Sequence, residues 1–82
     1  MTEVVIEIRG LDSLTCCAHL HALGGRQATP RRMAGRGWTA VIRDDPIRAG
    51  PYSLERVLLH ILGAPGPVNR LVRSLEELAG AL

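Results

Sequence analysis

The chain has 82 residues, enough for a single domain (1–82) around one hydrophobic core. With 46% hydrophobic residues and a mean hydropathy of +0.12 it is too apolar for a disordered tail, yet no apolar run nears the roughly 18–20 residues that cross a bilayer. Net charge is only +2, and all ten basic residues are arginine, which fits either anion recognition by guanidinium forks or a GC-rich coding sequence.

A domain this small hides only about 60–65% of its unfolded surface, so pairing with a second subunit is an economical way to cover more. The opening Met1-Thr2-Glu3 runs straight into Val4-Val5-Ile6 without a basic stretch or cleavage pattern, so no secretory leader is expected. Cys16 and Cys17 are adjacent and cannot bridge in a helix without severe strain. Two reduced thiols give a cytoplasmic expectation.

In chain order, residues 3–9 alternate: Val4, Ile6 and Ile8 on one face, Val5, Glu7 and Arg9 on the other. That period predicts a half-buried strand ended by Gly10. Asp12 or Ser13 then caps a helix from Leu14 to Leu23, stopped by Gly24-Gly25. Its apolar side chains form two arcs, Leu14, Cys17, Ala18 and Ala22 against Cys16, Leu20 and Leu23, with only Thr15 and His19 as a polar edge. Such a helix is expected to be covered on two sides, by the sheet and by a partner. Residues 26–33 and 38–43 read as two strands joined by Ala34-Gly35-Arg36-Gly37, with Pro30 confining the first to a sheet edge or to a loop. Asp44 to Pro51 reads as a turn-rich connection.

Ser53 is placed to cap a helix over 54–62, in which Leu54, Val57, Leu58, Ile61 and Leu62 line one face. The last segment, Val68, Leu71, Val72, Leu75, Leu78, Ala79 and Leu82, recurs at three and four and predicts an amphipathic helix with Pro67 at its first position. A competing reading makes 68–73 a strand. The expected fold is therefore α+β, a β-α-β-β-α-α domain with a three-stranded sheet, helices packed on one face and a right-handed parallel crossover. It becomes ferredoxin-like if 68–73 is a fourth strand.

No segment carries a motif that names a reaction. Gly24-Gly25 and Gly35-Arg36-Gly37 are too short to cradle phosphate and read as a helix stop and a turn. No Ser/His/Asp or Cys/His set is visible, so a non-enzymatic protein without a cofactor is expected. Cys17 and His21 share a helix face and are metal-capable, but a site would need ligands from elsewhere. Arg26, Arg31, Arg32, Arg36 and Arg43 fall in a stretch with no acid, which could lie along a nucleic-acid backbone. With aromatics limited to Trp38 and Tyr52, there is no stacking platform for bases. The favoured reading is a binding or regulatory module acting as a homodimer or on a protein partner. Its interface is expected at Leu14, Ala18, Leu20, Leu23, Leu71, Leu75 and Leu78. Nucleic-acid binding by the arginine hairpin is the alternative, and a metal or thiol site at Cys17/His21 a third.

Overall fold

A computed structural model describes the backbone of residues 1–81 and the side chains of residues 1–78. The elements run β1 (Thr2–Arg9), α1 (Ser13–Ala22), β2 (Arg26–Thr29), β3 (Arg32–Gly35), β4 (Trp38–Asp44), β5 (Ile47–Ala49), β6 (Tyr52–Leu54), β7 (Arg56–Gly63) and α2 (Pro65–Ala81). Five strands form one sheet in the order β1-β7-β4-β3-β2, with every neighbouring pair antiparallel. β5 and β6 form a separate two-stranded sheet. This overturns the expected three-stranded plan: the chain is mostly β, and among the described residues there is no parallel crossover.

The largest correction is residues 54–62, which form strands rather than a helix. Central β7 is hydrogen-bonded to β1 on one side and β4 on the other, and Val57, Leu59 and Ile61 are fully buried on one face. Leu58, His60 and Leu62 point to the opposite face and are only half covered. Apolar residues on both faces erase the period-two signal, and a short apolar run of this kind fits a helix and a central strand equally well. The hairpin reading of 26–43 also changes. Pro30-Arg31 breaks the first segment into β2 and β3, with a register irregularity between Gln27 and Thr29, so three strands stand where two are expected. The ferredoxin-like alternative fails because 68–73 lies within α2.

β1 and β2 are the two sheet edges, and α1 crosses from one to the other. Asp12 caps α1, accepting from the Thr15 amide at 2.8 Å, and Asp44 at the end of β4 accepts from the Ser13 amide at 3.1 Å. The helix ends with Gly25 N–H donating to the Leu20 carbonyl and Gly24 N–H to that of His21. Gly24 sits at φ +95°, a conformation that glycine adopts without penalty.

α2 lays Val68, Leu71 and Leu75 against the sheet, as its spacing predicts, and Leu78 and Val72 pack at the margin. The expected end of that helix at Leu82 lies outside the described residues. The core gathers Ile8, Trp38, Ala40, Ile42, Val57, Leu59 and Ile61 from one sheet face with Cys16, Leu20, Val68, Leu71 and Leu75 from the helices. Trp38 is seated against Gly35, where a Cβ would come within 2.1 Å of the indole, so only glycine leaves room for the ring.

Candidate functional site

Both helices occupy one face of the sheet, which leaves the other face bare. Strand alternation assigns the bare face. From β1 it receives Glu3, Val5 and Glu7; from β7, Leu58, His60 and Leu62; from β4, Thr39, Val41 and Arg43; from β3, Arg32 and Ala34. Val41 and His60 are direct partners, as are His60 and Val5. An apolar strip of Val5, Val41, Leu58 and Leu62 therefore runs down the middle of the face. Val5 is 63% exposed, and Val5, Val41, Arg43, Leu58 and His60 outline a shallow hollow of about 260 Å³.

Polar residues flank the strip unevenly. On the β1 side Glu3 meets His60, and Glu7 meets Arg9 and Arg56. Arg9 and Arg56 hold the Glu7 carboxyl below its ordinary range, the hydrogen bond from Arg9 being the largest cause. On the other side Arg26 pairs across from Ala34, Arg32 from Val41 and Arg43 from Leu58, so these three arginines share the bare face. Among the described residues none of the three has an acid within 4.0 Å. Arg31 and Arg36 sit in the turns at opposite ends of β3, away from that row.

Beyond the sheet, the β4–β7 ladder continues without a slip. Asp44 faces Val57, Asp45 N–H donates to the Arg56 carbonyl at 2.9 Å, Ile47 faces Leu54 and Ala49 faces Tyr52. β5 and β6 are thus the outer part of one long ribbon, interrupted only where Pro46 has no amide to give. Its tip is a two-residue turn in which Gly50, at φ +61°, precedes Pro51. Glycine at the first central position suits a type II′ hairpin. At the neck Arg56 donates to the Asp45 carboxylate at 2.6 Å and, through Nε, to its carbonyl at 2.8 Å. The expected loop at 44–51 is therefore an ordered arm.

The arm is two-sided. Ile47, Ala49, Tyr52 and Leu54 share one side, and Arg48 and Ser53 the other. Tyr52 is 77% exposed and Leu54 is exposed as well. Unbroken register sets this apolar side in line with the bare face of the sheet.

The expected interface residues divide. Leu20, Leu71 and Leu75 are buried in the chain's own core and present no surface, and Leu78 packs at its edge. Leu14 and Ala18 lie on the outer flank of α1, with Leu14 80% exposed, and Leu23, the residue after the helix, is exposed at its C-terminal end. α1 is thus covered on one side only within a single chain. Cys17 and His21 do share a helix face, but the His21 ring is engaged with the Gly25 carbonyl through Nδ1 at 3.1 Å. Burial raises the Cys17 thiol, with the Asp44 charge adding to it. Among the described residues no group of three or more His, Cys, Asp or Glu converges on a metal position.

Sequence reasoning missed Leu58 and Leu62 as face residues, having placed them on a helix, and missed the arm entirely. The alternation of Ile47, Ala49 and of Tyr52, Leu54 around Gly50-Pro51 was the available signal. No protein-family model matches the chain, and no characterised protein shows significant sequence similarity to it.

Proposed function

We propose that this chain is a non-enzymatic binding module of regulatory type, working through contact with a protein surface, its own copy or another chain. The observation that carries the reading is the apolar strip on the bare sheet face and its continuation into the arm: Val41, Leu58 and Leu62 are half covered, and Val5, Tyr52 and Leu54 are exposed. Contiguous exposed apolar surface rimmed by polar groups is a common mark of protein contact. The strip also supplies what a contact centre needs, with branched aliphatics in the middle and charge at the rim.

A photo-crosslinking residue at Val41 or Tyr52, in the full chain expressed in cells, tests this. A discrete protein adduct is expected at both positions, with none at Asn69 on the exposed side of α2. Absence of adducts at the face, or equal capture at Asn69, overturns the reading.

One observation favours a second reading, nucleic-acid binding: Arg26, Arg32 and Arg43 share the bare face, and among the described residues none has an acid within 4.0 Å. Glu3 and Glu7 on the same face oppose it, as does Trp38, whose ring is buried in the core. Three phosphate contacts would give log affinity against log salt a slope of about −2.7 on duplex DNA. A fluorescence titration that finds no binding at low salt ends this reading.

A further inference from the structure

The arm has an unsatisfied side. Among the described residues, neither β5 nor β6 has more than marginal contact with any element except the other. A two-stranded ribbon alone is marginal in water, and this one also exposes Tyr52 and Leu54. The whole chain tells the same story in area. A compact monomer of 8.9 kDa exposes about 4,800 Å², whereas this chain exposes 5449 Å². The excess of about 600 Å² approaches the roughly 800 Å² that each partner contributes to a standard interface. The longest dimension, 41 Å against 25 and 21 Å, also marks an extended shape.

We propose that the apolar side of the arm docks on the bare sheet face of a second copy of this chain, reciprocally, about a two-fold axis at the neck. The inference rests on the protein-contact reading above and names the occupant. The ribbon is complementary to itself. The neck pair Asp45–Arg56 divides it into an arm carrying an apolar ridge and a sheet part carrying an apolar strip, both on the same side. A two-fold axis across the ribbon at that pair brings row onto row. Ile47 and Leu54 fall over the partner's Arg43 and Leu58, two residues to the other side of the axis. Ala49 and Tyr52 fall over the partner's Val41 and His60, four residues away.

The rows match because the register never slips between the two parts. Face-to-face sheets pack about 10 Å apart, which a tyrosine ring and aliphatic side chains fill. At the axis Asp45 and Arg56 face their own counterparts, and the Asp45–Arg56 and Glu7–Arg56 pairs within each chain balance the charge there. Arg43 lies beside the strip, where its stem can cover the docked arm and its head can reach water. Arg48 points away from the contact, and both arms are used, so the assembly closes at two.

The test uses the purified full chain in sedimentation equilibrium over a wide concentration range. A dimer is expected. Tyr52→Ser combined with Leu54→Ser should weaken it at least about tenfold, the size of change seen when a central aromatic anchor is lost. Val41→Glu on the receiving face should do the same. Because the arm supports no other element, the arm variant should keep the circular dichroism spectrum of the parent. Mixing the arm variant with the Val41→Glu variant should restore a heterodimer, since one intact arm then meets one intact face. A chain that stays monomeric at every concentration overturns the inference, as does a dimer indifferent to both variants. If the chain is monomeric while crosslinkers at Val41 and Tyr52 capture a different protein, self-association falls and the protein-contact reading stands. If a nucleic acid is captured instead, both fall.

Discussion

Asp12 and Asp44 hold the first turn of α1 from two directions, and the acid limb of stability follows from that. The Thr15 amide, bonded to the Asp12 carboxylate at 2.8 Å, keeps that carboxyl below its ordinary range. A depressed carboxyl contributes stability above its unfolded value, and that contribution is lost as pH falls through the lower folded value. Thermal melts between neutral pH and pH 3 should therefore fall more steeply for the parent than for Asp12→Asn, which caps without titrating. Equal slopes would show that Asp12 does not carry this limb. The thiols give the opposite limb. Burial, with the charges of Cys17 and Asp44 added, pushes Cys16 up to about 12. Between its unfolded value near 9 and that folded value the unfolded chain binds fewer protons, so stability falls as pH rises. At pH 8 a thiol reagent should modify Cys17 first and reach Cys16 only when the protein unfolds. Rapid labelling of both in the native protein would contradict the burial of Cys16. Cys17 and His21 are legible in the sequence as metal-capable residue types, but the ligands needed to complete a site are a matter of tertiary placement.

Among the elements, β7 decides the architecture, and it is where sequence and structure part most widely. β1 and β4 were readable because each is half buried: Ile8, Ala40 and Ile42 alternate with Glu7, Thr39 and Arg43. α2 was readable because Val68, Leu71 and Leu75 repeat at helical spacing. β7 was not, because Val57-Leu58-Leu59-His60-Ile61-Leu62 is nearly apolar on both faces and can satisfy either period. Read as a helix, that segment deprives the sheet of its centre, and β1 is then expected beside a parallel neighbour instead of antiparallel β7. The strand assignment makes a sharp contrast between adjacent leucines. Leu59 is fully buried, and Leu59→Ala should cost about 2–5 kcal/mol. Leu58, half covered on the bare face, should cost less than about 1 kcal/mol when changed to Ala. On a total stability of roughly 4–12 kcal/mol the first change is large, and urea melts resolve the two easily. Comparable losses would mean that the two side chains do not lie on opposite faces.

At the scale of the molecule, the candidate site is partly legible in the sequence: Val5 and Glu7 fall on the strand face opposite Val4, Ile6 and Ile8, and Arg26, Arg32 and Arg43 stand in a stretch with no acid. Their convergence was not visible, because it depends on the order β1-β7-β4-β3, which long-range pairing sets. The arm escaped for a local reason. Pro46, Gly50 and Pro51 are turn residues, and here they punctuate a ribbon that carries on through them. This continuity allows a clean dissection. Because Asp45 and Arg56 are already paired across the ladder, residues 46–55 can be replaced by Asn-Gly, which closes a two-residue hairpin in the same register. The shortened chain keeps the whole core and every interaction of α1 and α2 with the sheet. It should melt within a few degrees of the parent at a concentration where both are monomeric. If the arm is the docking element, the shortened chain should remain monomeric where the parent self-associates. Loss of the fold on shortening would show instead that the arm stabilises its own subunit. Retained self-association would move the contact to another surface, of which the exposed flank of α1 at Leu14 and Ala18 is the next to examine.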